Sequence, residues 1–396
     1  MRDQRQTTSP VESMHKESEV IANEFYQSDF NYSIQVNRWL FKLVGAWPRK
    51  FADIRIFQKL QNTLVCLCYI CFVFLIIPSI LYIILEEDNL QMQIRYFFPT
   101  LAWIMTFIKY YYLLIHGSDI FYCLKQMEHD WRRVNNSTDR DVMLNHANIG
   151  RYVAILSVFW LYLTSSCFML SVAGRISVDQ GNETIFIRRL PFAFYDKIVN
   201  PTVTPNYEIL FASQAVSDFV VATIVSNTNT LVVIFVLHVI GQIQVLKHVL
   251  ITLIVEDEIE MGEEYDRMKW NLDMKPVNTK LAVLVKQQEW EEKSFDKLVT
   301  DLITVMAVTF NIFILCFTGE ILIEKCEEIG ETAYMIEWYR LPPKGSRNIL
   351  LIILMSNYGG IRITAGKFVK LSLSSFSYIL QSAAVYLNLL LTLTTY

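Results

Sequence analysis

The stretch Leu371 to Tyr396 carries no charged residue, yet it is studded with Ser, Thr, Asn, Gln and Tyr. It is long enough to cross a bilayer, for which about 20 mostly apolar residues suffice. Unsatisfied polar groups are costly in hydrocarbon, so a helix facing only lipid has no use for hydroxyls and amides. Such a segment packs against other helices or lines a watery path through a membrane. The composition agrees, because 53% of the 396 residues are hydrophobic and only 19% are charged. That is more apolar than a soluble domain of this length and favours a polytopic membrane protein. The net charge of -4 is spread over connecting segments and gives no reason to expect nucleic acid as a partner. The N-terminus is polar through about residue 38, so no cleavable signal peptide is expected.

Five more apolar runs precede the terminal one. Thr63 to Leu85 is free of charge and contains Pro78, Tyr96 to Ile115 holds the single Lys109, and Tyr152 to Ala173 is again uncharged. Asn206 to about Ile254 is far longer than a span and reads as one helix that crosses and projects beyond the membrane. Leu302 to Gly319 extends to Ile323 with Glu320 inside it, whereas Asn348 to Met355 is too short and reads as a buried or interfacial helix. The expected fold is therefore an all-α polytopic membrane protein with six spans found.

Basic residues in the connections orient these spans. Arg38, Lys42, Arg49, Lys50, Arg55 and Lys59 precede the first and place the N-terminus in the cytoplasm. The short acidic turn Glu86 to Arg95 is then external, and the loop with Lys125, Arg132, Arg133 and Arg140 internal. The loop Gly174 to Pro205 falls outside and carries a glycosylation sequon at Asn182. Two later segments are both basic, one with Arg267 to Lys286 and one with Lys325 to Lys370, yet a single run near residue 310 separates them. Both cannot be cytoplasmic across one crossing, so a re-entrant element or a missing span is implied.

The chemistry of an enzyme is absent from the sequence. The six histidines show no H-E-x-x-H spacing, and the thirteen glycines form neither a G-x-G-x-x-G nor a P-loop. No Ser or Cys stands in a nucleophile motif. Cys66, Cys68 and Cys71 lie within an apolar run and read as small transmembrane side chains rather than metal ligands. No cofactor or metal is expected. Lys109, Asp218 and Asp301 lie in or beside spans, where ionisable groups mark pairing or function. Asp218 and Asp301 read first as structural pairs or snorkelling groups near span edges.

Several segments together resemble the insect odorant receptor family. Gly45-Ala46-Trp47-Pro48 looks like that family's G-x-W-P before the first span. The C-terminal match is closer: Gly319-Glu320, Glu324-Lys325-Cys326, Ala333-Tyr334 and Trp338-Tyr339, with Cys326 where a serine is usual. Leu341-Pro342, Thr364-Ala365-Gly366-Lys367-Phe368, Leu371-Ser372-Leu373, Phe376 and Val385-Tyr386-Leu387 continue it over about 70 residues. The resemblance implies an odour-tuned subunit of a ligand-gated, non-selective cation channel in the plasma membrane of olfactory sensory neurons. It also implies a tetramer with a shared co-receptor, a seven-span helical bundle and small volatile organic ligands. Aligning the terminal helix places the pore gate at Leu389, with Thr392 and Leu393 at the outer constriction; leucines close a pore by dewetting.

On this reading the chain divides into a cytoplasmic segment 1–60, spans one to four over 61–254 and a charged cytoplasmic segment 255–297. A span over 298–323, an anchor region 324–366 and a pore-lining helix 367–396 complete it. The family has seven spans, and the fifth is the one not found. An incomplete gene model or splice form explains this more simply than a true six-span variant. The odorant pocket is expected in outer half-spans, from Phe98, Ala102 and Trp103, from Trp160, Thr164 and Phe168, and from Tyr207, Phe211 and Gln214. Aromatic faces with a few polar groups suit small apolar ligands. Tyr334, Trp338, Lys367 and Phe368 are expected at subunit contacts. A gustatory-receptor-type channel is the nearest alternative. A seven-helix G-protein-coupled receptor is another, but neither a D-R-Y nor an N-P-x-x-Y stands at the expected places. A secondary transporter would show an internal repeat, and none is visible.

Overall fold

The computed structural model describes residues 23–48, 55–86, 90–134, 136–172, 176–180, 183–187, 190–200, 203–258, 295–336, 338–341, 343–357 and 362–395. The first helix, α1 (Tyr26–Leu43), is amphipathic: Phe30, Ile34, Asn37, Leu40 and Phe41 recur at three- and four-residue intervals and are buried. Asp29 on the same face is 5% exposed and receives Arg140 in a two-pronged ion pair, Nε at 2.7 Å and Nη2 at 2.9 Å. After α1 the chain turns at Gly45, whose φ is +68°. A Cβ there would stand 2.8 Å from the Gln61 carbonyl, so both the left-handed backbone and the close approach demand glycine. Trp47 then packs edge-on to Phe41, and its carbonyl accepts from Gln61 Nε2 at 2.9 Å. These contacts explain the Gly45 and Trp47 of the G-x-W-P segment: they return the chain tightly onto the first long helix.

That helix is α2 (Arg55–Leu85), followed by α3 (Leu90–Ile115), α4 (Gly117–Arg133) and α5 (Ser137–Val172). Most of what reads as an internal loop from Lys125 to Arg140 is thus helical, because α4 buries Leu124, Met127 and Trp131 at three- and four-residue spacing. An antiparallel hairpin of β1 (Ile176–Gln180) and β2 (Glu183–Ile187) follows, and then α6 (Asn206–Glu258). At about 1.5 Å per residue α6 is roughly 80 Å long and must project far beyond any bilayer. After it come α7 (Phe295–Met335), a 3-10 turn (Trp338–Arg340) and α8 (Pro343–Asn357). A small hairpin of β3 (Thr364–Ala365) and β4 (Val369–Lys370) leads into α9 (Leu373–Thr395).

The largest core joins α1 to α6 around Phe41, Phe72, Tyr110, Trp131, Met143 and Ile224. A second lies between α6 and α7, and a third seats α8 through Ile349 on Leu250, Ile329 and Ala333. Lys247 of α6 pairs with Glu328 of α7, which also holds Lys325 at 2.7 Å. Among the described residues five helices, α2, α3, α5, α6 and α7, are long and apolar enough to cross a membrane. The uncharged α9 is the sixth element expected to span.

Two boundaries drawn from the sequence fall elsewhere. Helix α7 runs unbroken from Phe295 to Met335, so residues 323 and 324 lie inside one element. Lys367 belongs to the hairpin loop, and α9 begins only at Leu373. Most of the charged segment, residues 259–294, lies outside the described residues, and so does Asn182. Among the described residues, α7 is the first element after that segment.

Candidate ligand site

At the outer ends of α2, α3, α5 and α6 the loop after β2 turns inward. Its apolar run Pro191-Phe192-Ala193-Phe194 leaves Phe192 9% exposed. Phe192 meets Trp103 edge-on at 4.6 Å and stacks on Phe168 at 5.3 Å, with Leu75 and Met169 completing the cluster. Three side chains hold this loop by its backbone or rings. Gln214 accepts from the Phe192 N–H at 3.2 Å and donates to the Phe192 carbonyl at 3.3 Å. Ser79 donates to the Ala193 carbonyl at 3.0 Å, and Phe194 rests on Phe74 at 6.0 Å. Buried backbone groups must be paired, so a loop can enter an apolar cleft only with such partners.

Deeper between α5 and α6 the lining turns polar. Ser165 donates to the Asp218 carboxyl, and Tyr162 bonds Thr223 at 2.5 Å while stacking on Phe219. Asp218 therefore has a helix-to-helix partner, as its sequence context suggested. At the mouth, the Asp196 N–H donates to Glu86 at 3.4 Å. Partial burial, and secondarily the Glu86 charge, hold the Asp196 carboxyl above the usual carboxylate range.

Of the nine expected pocket residues, the structure gathers Trp103, Phe168 and Gln214. Trp103 and Phe168 form walls, whereas Gln214 is committed to the loop backbone and is not free to orient a ligand. Phe98 and Ala102 are exposed, and Trp160 pairs with its neighbour Phe159. Thr164 donates to the Trp160 carbonyl of its own helix at 2.8 Å. Tyr207 and Phe211 stack on each other at 6.0 Å along α6. Sequence reasoning missed Phe192, Leu75, Ser79 and Met169. A signal for the loop was available in its apolar run, which continues from Leu190 through Phe194 after the two arginines Arg188 and Arg189.

Helix α9 is held at its start. Ser372 Oγ caps the Ser375 N–H at 3.2 Å, and Glu320 of α7 accepts from the Leu373 N–H at 3.1 Å. Phe376 packs edge-on to Phe313 at 5.4 Å. A Cβ on Gly319 would collide with the Leu371 carbonyl, so glycine admits the chain that enters α9. Farther along, Tyr378, Val385, Tyr386, Leu387 and Leu389 are all exposed. Thr392 is exposed and donates to the Asn388 carbonyl at 2.8 Å, and Leu393 belongs to the same helix. Of the expected subunit-contact residues, Tyr334 is exposed and Phe368 is 94% exposed. Phe368 follows Gly366 and Lys367, with φ of +61° and +66°, at a tight hairpin loop. Trp338 instead packs inward on the α8 core. All seven cysteines are free, and no group of three or more metal-ligating side chains occurs among the described residues.

No curated protein matches the chain. The profile of the family described as 7tm Odorant receptor matches residues 294–384. The fold is similar to the insect olfactory receptor OR5 from Machilis hrabei, at a TM-score of 0.67 and 13% identity, covering 93% of this chain and 99% of that one. The same receptor solved in complex with eugenol gives a TM-score of 0.65 at 13% identity, covering 93% and 100%. The odorant-receptor signature over residues 294–384, joined to an olfactory-receptor fold over nearly the whole chain, makes this multi-pass membrane protein similar to insect odorant receptors.

Proposed function

We propose that this chain is an odorant receptor, the odour-tuned subunit of a ligand-gated, non-selective cation channel, assembled with a shared co-receptor as a tetramer. It acts in the plasma membrane of olfactory sensory neurons and takes small volatile organic molecules. The observation that carries the reading is α9, an uncharged helix of 23 residues fastened at its first turns and exposed beyond them. A helix with that surface is incomplete in one chain and finds partners around a common axis. Leu389 then supplies the gate, with Thr392 and Leu393 beside it, while Tyr334, Lys367 and Phe368 meet neighbouring subunits.

The ligand site is the Trp103, Phe168, Leu75 and Met169 cleft that Phe192 fills. A cleft with aromatic walls and few polar groups suits a compact apolar molecule. The related OR5 was solved with eugenol, an aromatic molecule of that kind. The test is odorant-evoked current in cells expressing the chain with and without the co-receptor, across a broad volatile panel. A cation current that needs both subunits supports the proposal. Confirmed surface expression with no current in either setting refutes it, and restoring about 25 residues before Leu298 would then show whether a fifth span is required.

A further inference from the structure

The outward face of α1 carries a basic groove that neither the fold nor the ligand site uses. Asn31, Gln35, Arg38 and Lys42 recur along one stripe of the helix, and with Tyr32 and Trp39 they line a groove of about 430 Å³. Arg38 donates to Asn31 Oδ1 at 2.9 Å and lies 5.8 Å from the Trp47 ring. Lys42 lies 5.7 Å from the Phe57 ring. Arg151 of α5 backs the groove, donating to Gln35 Oε1 at 2.7 Å over the Tyr32 ring. The partners of all three cations are amides and aromatic faces. The acidic residue of α1, Asp29, is already committed to Arg140. Among the described residues the groove is therefore a concentration of positive charge without a counter-charge.

Its depth is set by Phe57, which stands in the first turn of the first membrane-spanning segment, Ile56–Leu85. Phe57 stands six residues before Thr63, where the charge-free run begins, so the basic end of the groove lies about 9 Å outside the hydrocarbon, at the depth of lipid headgroups. Beside it Trp39, Leu43, Ile56 and Leu60 are 64%, 60%, 77% and 53% exposed. A soluble anion would leave this apolar rim uncovered, and an apolar protein surface would leave the charge unpaired. One molecule covers both: a lipid whose phosphate meets the cations while its acyl chains lie along the rim. Arg pairs well with phosphate oxygens, and Lys and Trp favour the membrane interface.

We propose that the Arg38–Lys42 groove of α1 binds the headgroup of an anionic phospholipid in the leaflet facing α1, which the distribution of basic residues makes the cytoplasmic one. The test uses the purified full chain in neutral detergent, with dioctanoyl phosphatidylserine and dioctanoyl phosphatidylcholine as probes and native mass spectrometry as the readout. Phosphatidylserine should be retained in preference to phosphatidylcholine. The paired substitution Arg38→Gln and Lys42→Gln should lower that retention by about thirtyfold, since each basic residue near a membrane surface contributes about 1 kcal/mol. Millimolar inorganic phosphate should displace little of the lipid. Equal retention of both lipids overturns the proposal, as does unchanged retention in the double variant. Displacement by inorganic phosphate at that level would assign the groove to a free anion instead. Should the double variant fail to fold, Lys42→Gln alone, whose side chain is half-buried, gives the same comparison at a smaller loss.

Discussion

Replacing Phe192 by alanine tests whether the outer cleft is a ligand site. The ring is nearly buried, edge-on to Trp103 and stacked on Phe168, with Leu75 and Met169 beside it. Truncating a buried Phe costs about 3–5 kcal/mol, the lower end applying where surroundings can close in. Phe192 sits on a loop, so about 3 kcal/mol is expected. Gln214 and Ser79 still hold the Phe192 and Ala193 backbone, which keeps the loop from collapsing fully and leaves a phenyl-sized void. A ligand present at 100 times its Kd stabilises a protein by about 2.7 kcal/mol, nearly the whole deficit. The assay is thermal unfolding of purified wild-type and Phe192→Ala protein in one detergent, with and without excess toluene or indole. The variant should unfold at a clearly lower temperature and recover most of the difference with the aromatic probe, while the wild type gains less. If the variant unfolds like the wild type, the ring does not support the cleft. If the probes stabilise both proteins equally, the space Phe192 leaves is not a binding site.

Three other substitutions probe the scaffold and the pore. Gly45→Ala places a Cβ 2.8 Å from the Gln61 carbonyl at a φ of +68° and should destabilise by more than about 1 kcal/mol, read as lower thermal stability and poorer surface expression. Arg140→Ala leaves the buried Asp29 carboxylate with only Asn23 as a long side-chain donor and should cost about 1.5–3 kcal/mol, whereas the double change with Asp29→Asn should recover part of that loss. Leu389→Ala should leave thermal stability within about 0.5 kcal/mol, since the side chain is exposed in one chain, yet raise the basal current of the co-expressed channel.

The helices were legible where the sequence repeats a physical signal. Apolar runs with at most one charge marked α2, α3 and the membrane part of α5, and the length of α6 followed from one long apolar stretch. Helix α4 was not read as a helix because its charged residues advertise a loop, while Leu124, Met127 and Trp131, which bury it, are sparse. The candidate site was legible in its walls and not in its filling. Trp103 and Phe168 lie on helices whose outer halves can be counted from their ends. Phe192 reaches them from a loop some 20 residues further on in chain order than Phe168, and no periodicity connects the two. Gln214 shows the limit of residue type alone, because an amide suited to a ligand here satisfies a backbone.

The Gly319-Glu320 pair makes a sharper case, since its two residues serve one junction. Gly319 lets the Leu371 backbone lie against α7, and Glu320 takes the first N–H of α9 two residues later. Helix N-termini favour acceptors and negative charge by about 0.3–1 kcal/mol. Within the chain α9 rests chiefly on α7, so this junction is where a shift of α7 reaches the proposed pore-lining helix. Glu320→Gln keeps an acceptor and should move the half-maximal odorant concentration of the co-expressed channel by less than about threefold. Glu320→Ala removes the acceptor and should move it about fivefold or more, the equivalent of about 1 kcal/mol. Both variants should reach the surface normally, because the rest of the α6–α7 core is untouched. An alanine variant with wild-type sensitivity and wild-type basal current would show that the cap only fastens α9, and that coupling to the ligand site travels through contacts between subunits.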